Sequence, residues 1–247
     1  MEALLSLPEQ PFLRRLDTLA HSWISAFRWR RSGRDAMRAQ IVGRARYAED
    51  ALLAQNPSQY LVLAAGLDTF ALRHATERMQ GFEIDHPATQ AWKWARIKAP
   101  PKNLRFIPVD FERTTLADSE FDPEPSTFVS WLGTTKYLTG DTIAETLRGV
   151  GEQTAGGTRL VLDYWSEAPS ADGRATTLLA STRLATAFER EPIRSLFAPS
   201  DMEALARETR WRAREHLAPV IQNARYLARR SDGLSVPSFA YLIQLEQ

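Results

Sequence analysis

The chain has 247 residues and a formal net charge of +1 at neutral pH; 44% of its residues are hydrophobic, 25% are charged and none is cysteine. This composition predicts a folded domain rather than a disordered chain, and the near-zero charge gives no general attraction for nucleic acid or membrane surfaces. The lack of cysteine excludes disulfides and thiolate metal sites, and no apolar run approaches the ~20 residues of a membrane span. We therefore expect a cytoplasmic protein without nucleic-acid or membrane partners.

The N-terminal part of the chain is predicted to be helical. Apolar residues recur at helical spacing over residues 11–31, and a further helix over residues 41–53 carries Arg44 toward the first strand. An arginine can hold a ligand carboxylate through two parallel hydrogen bonds, so Arg44 is a candidate binding residue. Its alternative partners are Glu49 and Asp50 on neighbouring helical turns.

Seven arginines and a single acid, Asp35, lie between Arg28 and Arg46. Such a cluster can bind nucleic acid or an anionic substrate. Because the whole chain is nearly neutral, we interpret it instead as the solvated faces of two short helices interrupted at residues 32–33.

The central stretch alternates apolar strands with helix starts. Residues 59–63 form an apolar run that leads into Ala64, Gly66 and Asp68. The second strand ends at Asp85, 19 residues after Gly66, and the third ends at Asp110. Doubly wound α/β folds bind ligands at the carboxyl ends of such strands and place an acid ~20 residues after the turn, on a ribose diol. A single glycine suits a pyrophosphate poorly, and an acidic rim favours a cationic ligand such as a sulfonium.

The remaining segments continue the same alternation. Helices are predicted over residues 69–77, 87–97 and 141–150, and most of residues 166–208 have a helical pattern. Strands are predicted over residues 127–131 and 158–164, and an antiparallel pair over residues 209–217 and 239–245 would close the sheet.

Three ordered motifs resemble the leucine carboxyl methyltransferase family. They are Leu-Ala-Ala-Gly-Leu-Asp-Thr (63–69), Phe-Glu-Ile-Asp-His-Pro (82–87) and Val-Asp-Phe (109–111). Ser-Trp-Leu-Gly (130–133), followed by Tyr-Leu-Thr (137–139), resembles the fourth strand and its exit. Bacterial members of this family include O-methyltransferases of polyketide and other secondary metabolism.

The resemblance implies a Rossmann-like class I methyltransferase fold, with a mostly parallel seven-stranded sheet and a helical cap. It implies one domain over residues 1–247, made of an N-terminal helical cap (1–55), a cofactor-binding core (56–165), substrate-cap helices (166–208) and closing strands (209–247). The implied cofactor is S-adenosylmethionine, with Arg44 on its methionine carboxylate, Asp85 on its ribose, and Asp110 and Phe111 on its adenine. The full implied set of cofactor-binding residues is Arg44, Ala64, Gly66, Asp68, Asp85, His86, Asp110, Phe111 and Leu132.

Two of these positions depart from the family pattern. Ala64 stands where the family has the first glycine of Gly-x-Gly, and a methyl group there is tolerable only if φ stays negative. Leu132 stands where many members carry a glutamate near the methionine end, a loss for which Asp68 is a possible compensation.

The expected reaction is methyl transfer to a carboxylate or hydroxyl oxygen of a small metabolite in secondary metabolism. A carboxylate acceptor is already ionised and needs no base, whereas a hydroxyl gains from one. His86, Tyr137 and Asp163 are candidate bases, but none has the spacing of a dedicated dyad, so the catalytic residue stays unassigned.

Other classes of function differ in how well they fit the sequence. Methylation of a protein C-terminus, and a cyclisation or elimination that uses the bound cofactor without methyl transfer, stay open as alternatives. The motifs of dinucleotide oxidoreductases and α/β-hydrolases are absent, and the four histidines are scattered without coordinating spacing, so no metal is expected.

Overall fold

A computed structural model describes residues 31–74, 78–109 and 126–247. Within these ranges, seven strands form one sheet in the order β3-β2-β1-β4-β5-β7-β6, in which β7 runs antiparallel to both of its neighbours. The strands are β1 (Gln59–Leu63), β2 (Gln80–Asp85), β3 (Leu104–Pro108), β4 (Thr127–Trp131), β5 (Arg159–Trp165), β6 (Arg212–Leu217) and β7 (Ala240–Glu246). The predicted α/β class and mostly parallel seven-stranded sheet are confirmed.

Helices connect these strands and cover both faces of the sheet. The α-helices are α1 (Arg31–Gln55), α2 (Phe70–His74), α3 (Pro87–Trp94), α4 (Gly140–Glu152), α5 (Gly173–Phe188), α6 (Pro199–Glu208) and α7 (Pro219–Gln222). A 3-10 turn covers Thr135–Tyr137, and a π-helical turn covers Asn223–Leu227.

The buried strands carry the core because their side chains alternate between the two faces of the sheet. Leu61, Leu63 and Trp131 lie on one face with residues of α4 and α6. Tyr60 and Val62 lie on the other face with residues of α1 and α2. Both faces of β1, β4 and β5 are therefore covered, which explains why these strands are nearly continuous apolar runs.

Helix α1 differs from the sequence-based expectation. It runs without interruption from Arg31 to Gln55, so the Ser32-Gly33 pair does not separate two short helices. The expected helix over residues 11–31 lies outside the described residues except for its last residue, and Arg28 is also outside them. None of the described helices is long and apolar enough to cross a membrane.

The segment predicted to cap the substrate contains two helices with different surroundings. Met202 and Ala206 of α6 are fully buried in the core beneath the sheet, together with Ile143 and Leu147 of α4. Ala175 and Leu179 of α5 belong instead to a separate cluster with Trp165 and Phe239. The division of the chain into a cofactor core and caps stays a prediction.

The sheet order positions the site. Strands β1 and β4 are neighbours, and the chain leaves them toward opposite edges, by way of β2 and β3 on one side and β5 on the other. Open α/β sheets bind ligands at such a switch point, outside the carboxyl ends of the strands. The segments that follow β1, β2, β4 and β5 therefore border the expected ligand site.

Candidate functional site

The turn after β1 has a backbone that suits glycine. Ala64 and Gly66 both have positive φ, +51° and +49°. The condition set by the sequence, a negative φ at Ala64, is therefore not met, and the alanine methyl sits in the left-handed region that glycine occupies without cost. Asp68 ends this turn, and its Oδ1 accepts a hydrogen bond from the Phe70 amide at 2.6 Å, which caps α2.

Asp85, the acid placed on a ribose by its spacing, contacts the glycine turn in the structure. Its Oδ2 accepts a hydrogen bond from the Gly66 amide at 2.5 Å, and its Oδ1 accepts one from the His86 amide at 2.6 Å. The carboxylate is half-buried at the end of β2, so it borders solvent while two backbone donors hold it in place.

His86 follows Asp85 and caps the next helix. Its Nδ1 accepts a hydrogen bond from the Ala88 amide at 3.2 Å, and Pro87 occupies the first turn of α3. This contact gives the exposed imidazole a local structural role, whereas its predicted role in cofactor binding stays a prediction.

A buried ion pair lies beneath this turn and was missed in the sequence. The Lys93 ammonium pairs with Glu83 and also donates a hydrogen bond to the backbone carbonyl of Asp68. Glu83 and Lys93 are 1% and 5% exposed. Burial raises the pKa of the Glu83 carboxyl, against the opposing influence of Lys93. An acid inside an apolar strand and a lysine on the following helix were the available signal.

Arg44 lies on the other side of the switch point and pairs with neither predicted alternative partner. Its Nη1 donates a hydrogen bond to Oδ2 of Asp163, near the end of β5, at 2.9 Å. Glu49 pairs instead with Arg73, and Asp50 pairs with Arg46. The alternative of Glu49 or Asp50 as partner is wrong, because Arg44 reaches Asp163 of β5 rather than an acid on its own helix.

Gly133, two residues after β4, forms the floor under the Arg44 guanidinium. It has a φ of +88°, and a Cβ added there would lie 2.7 Å from Nη2 of Arg44. Its amide donates a hydrogen bond to Asp163, and its carbonyl accepts one from Lys136. Charged side chains thus hold both the backbone N–H and the backbone C=O of Gly133.

Lys136 is buried beside aromatic rings. Its ammonium lies 4.4 Å from the ring centroid of Tyr137 and 5.0 Å from that of Trp165. Burial lowers the pKa of Lys136 to about 8; Asp163 and Glu191 oppose this shift, and Arg44 adds to it. The sequence offered no signal for this lysine, because a single lysine after a strand is ordinarily exposed.

A second polar chain reaches the same edge of the sheet. The Tyr164 hydroxyl hydrogen-bonds Nε2 of His216, and Nδ1 of His216 lies 2.9 Å from Oε1 of Glu203. These hydrogen bonds link β5, β6 and α6. Burial raises the pKa of the Tyr164 hydroxyl. The three residues connect two strands of the sheet to a helix. Their association was not predicted from the sequence.

The remaining predicted site residues are distributed as follows. Leu132 is half-buried and packs against the cluster that contains Tyr60 and Val62, so it brings no charge to the turn after β4. Asp110 and Phe111 lie outside the described residues. No group of three or more potential metal ligands occurs among the residues that the structure describes.

Comparison with known proteins identifies the family. The leucine carboxyl methyltransferase model matches residues 4–151. The "Putative S-adenosyl-L-methionine-dependent methyltransferase YktD" of Bacillus subtilis strain 168 is 33% identical over 207 residues, 78% of this chain and 68% of that protein. A methyltransferase of the same description from Mycolicibacterium gilvum is 32% identical over 124 residues, 46% of this chain and 40% of that protein.

The fold has a solved counterpart as well. The crystal structure of a "putative methyltransferase" from Thermobifida fusca YX matches with a TM-score of 0.65 over 88% of this chain and 83% of that chain, at 11% identity, which is a likeness of fold. The family match over residues 4–151 and the 33% identity with the Bacillus subtilis protein go further: this chain belongs to the leucine carboxyl methyltransferase family of S-adenosylmethionine-dependent methyltransferases.

Proposed function

We propose that this protein transfers the methyl group of S-adenosylmethionine to an oxygen, carboxylate or hydroxyl, of a small metabolite in secondary metabolism. The observation that carries the proposal is the arrangement at the switch point. The Gly66 turn and Asp85 lie on one side of it, and the partly exposed Arg44 lies on the other. The family membership and the resemblance to its bacterial branch support the kind of reaction.

The described side chains fit the chemical groups of this cofactor. Asp85 offers carboxylate oxygens that can accept hydrogen bonds from both hydroxyls of a ribose. Arg44 offers a guanidinium that matches a carboxylate, with only 19% of its side chain exposed. We propose further cofactor contacts at Ala64, Gly66, Asp68, His86 and Leu132, and at Asp110 and Phe111 in the segment outside the described residues.

The chain's contribution to the reaction is positioning. The bound cofactor supplies an electrophilic methyl group. Asp85 at the end of β2 and Arg44 on α1 would hold the two ends of the ligand and so set the line along which an acceptor oxygen must approach. Water exclusion would come from the buried clusters around the strand ends, such as the one containing Trp165 and Phe239.

The acid–base requirement favours a carboxylate acceptor. Asp163 accepts hydrogen bonds from Arg44 and from the Gly133 amide. Burial would raise the pKa of the Asp163 carboxyl, but these two hydrogen bonds and the positive charges of Arg44 and Lys136 outweigh it, so the pKa is lowered. A carboxylate so stabilised is a weak base, so it is a poor candidate for removing a hydroxyl proton. A carboxylate acceptor would need no such residue.

The test is a thermal melt with S-adenosylhomocysteine, the stable product analogue. A ligand at ~100 times its Kd stabilises by ~2.7 kcal/mol, which raises the Tm by about 5–11 °C for a domain of this size. Asp85→Ala should weaken binding by roughly 1–3 kcal/mol, because the ribose loses a charged hydrogen-bond partner. Asp201→Ala, which removes an exposed acid at the start of α6, is the matched control and should keep the full shift.

Absence of any ligand-induced shift in the wild-type protein would contradict the proposed cofactor site. With binding established, candidate acceptors are incubated with S-adenosylmethionine and analysed by mass spectrometry. A product heavier by one methyl group supports methyl transfer. A rearranged product of unchanged mass would support cyclisation, and a product lighter by the expelled group would support elimination. A methylated peptide C-terminus would support the protein substrate.

A further inference from the structure

The carboxylate of Asp163 is too deeply buried to be a surface feature. Asp163 is 2% exposed, yet its carboxyl has a lowered pKa, because the contacts with Arg44, Lys136 and the Gly133 amide outweigh the burial that would raise it. Burying a charge is costly unless it is paired and hydrogen-bonded. The contacts around it therefore show what this carboxylate holds in place.

Both oxygens of Asp163 are used. Oδ2 accepts from Nη1 of Arg44 at 2.9 Å and lies 3.5 Å from Nε2 of Gln40, one helical turn earlier on α1. Oδ1 accepts from the Gly133 amide. One carboxylate thus ties together α1, the turn after β4 and the end of β5.

The guanidinium of Arg44 is confined by these contacts. Asp163 accepts a hydrogen bond from its Nη1. Gly133 has no side chain, and a Cβ added there would lie only 2.7 Å from Nη2 of Arg44, so the glycine leaves the space that the guanidinium occupies. Arg44 is nonetheless more exposed than Asp163, at 19% against 3% of the side chain. The carboxylate therefore lies on the inner side of the guanidinium and leaves part of it facing outward.

We propose that Asp163 is a positioning residue that fixes the orientation of Arg44 for the carboxylate of the cofactor's amino-acid end, with Gly133 as the space that admits the guanidinium. The inference rests on the proposed function, in which Arg44 meets that carboxylate. It adds a residue on β5, 119 positions from Arg44 in the chain, whose contact with the ligand is indirect. A carboxylate on the acceptor is the other possible source of the same chemistry.

Two ligands separate this role from a general contribution to folding. S-Adenosylhomocysteine contains the amino-acid carboxylate, whereas 5′-methylthioadenosine has the same adenosine and thioether without it. Asp163→Asn keeps an oxygen for the Gly133 amide and removes the charge that holds Arg44. By calorimetry, its affinity for S-adenosylhomocysteine should fall by about tenfold or more, as expected when a coupled charged contact is lost, while its affinity for 5′-methylthioadenosine stays within about twofold.

A double-mutant cycle tests whether Asp163 acts through Arg44. In an Arg44→Gln background, Asp163→Asn should cost no further affinity for S-adenosylhomocysteine, because the group to be oriented is gone. The double variant also removes both charges of the Arg44–Asp163 pair together, so neither member is left without the other. If Asp163→Asn alone does not fold, Asp163→Glu keeps the charge, displaces it by one methylene, and should show the same ligand-selective loss.

Three results would overturn the proposal. The first is unchanged affinity of Asp163→Asn for S-adenosylhomocysteine, and the second is an equal loss for both ligands. The third is wild-type protein that discriminates poorly between the two ligands, which would direct the Arg44 site to an acceptor carboxylate instead. Wild-type protein that binds neither ligand would remove the proposed function as well, so the two failures are distinguishable.

Discussion

Ala64 carries backbone strain in the middle of the candidate site. An alanine in the left-handed region costs about 1–2 kcal/mol, of which a glycine substitution returns part because glycine also makes the unfolded chain more flexible. We expect Ala64→Gly to raise the free energy of unfolding by roughly 0.5–1 kcal/mol, measured by urea denaturation.

The neighbouring alanine provides the control for this substitution. Ala65 is buried and is not among the positive-φ residues. Ala65→Gly should therefore destabilise the protein, because it increases unfolded-state freedom without relieving strain. A loss of stability in Ala64→Gly would contradict the reading of Ala64 as strained.

Lys136 predicts a dependence of stability on pH. Its folded-state pKa of about 8 lies below its ordinary value of 10.5. Between these values the unfolded chain binds a proton that the folded protein has released, so the free energy of unfolding rises with pH. We expect a gain on the order of 1–2 kcal/mol between about pH 8 and pH 9.5, before tyrosines in the unfolded chain begin to ionise.

Substitution of Lys136 should remove that gain. Chemical denaturation of Lys136→Met at the two pH values should give a smaller rise than the wild-type protein shows. Lys98→Met, which removes an exposed lysine, should retain the wild-type rise. Equal pH profiles for Lys136→Met and the wild-type protein would mean that another group titrates in this range, with Asp163, Arg44 and Glu191 the charged groups around Lys136.

At the scale of elements, the pair Glu83–Lys93 joins β2 to α3 and supports the turn after β1 through the Asp68 carbonyl. Removing one partner of a buried pair leaves an uncompensated charge, which costs about 3–5 kcal/mol. Lys93→Met should lose stability of that order in urea denaturation. The double variant Glu83→Gln, Lys93→Met should recover much of it, because no buried charge is left unpaired.

An exposed pair on α1 is the matched control. Arg46 and Asp50 are 62% and 40% exposed and lie four residues apart on the helix. Arg46→Met should cost less than about 1 kcal/mol, because solvent already screens the interaction. If the Lys93 and Arg46 variants lost equal stability, the buried pair would contribute no more to the free energy of unfolding than the exposed pair.

The long helix α1 shows how an element brings distant residues together. Gln40 and Arg44 are one helical turn apart and both reach Asp163, and Tyr47, about one turn further, donates a hydrogen bond to Glu215 of β6 at 2.8 Å. One face of the helix therefore contacts two strands from the second half of the chain. An interruption at Ser32-Gly33 would have left this face intact, since the contacts begin at Gln40.

At the scale of the molecule, the sheet was largely predictable and part of the site was not. Strands such as β1 and β4 are apolar because both their faces are covered, and this leaves a strong signal in the sequence. The Gly66–Asp85 contact was predictable for a similar reason, since a β-α-β unit of fixed length brings the ends of adjacent strands together.

The partner of Arg44 and the backbone conformation of Ala64 could not be predicted from the local sequence pattern. The partner of Arg44 is set by the direction in which α1 crosses the sheet, and Asp163 is 119 residues away. The positive φ of Ala64 opposes the ordinary preference of alanine and follows from the turn that surrounds it. Both features arise from tertiary structure acting on residues whose local preferences are neutral or contrary.

The place of β7 in the sheet has a consequence for the order of folding. Residues 240–246 pair with β5 on one side and with β6 on the other, so among the described strands β6 pairs with β7 alone. After β6 has been synthesised, the ribosome must add more than twenty further residues before β7 is available to pair with it. Strand β6 therefore stays unpaired in the nascent chain until β7 is made, and its pairing is among the last steps because β7 is the last of these strands to be synthesised.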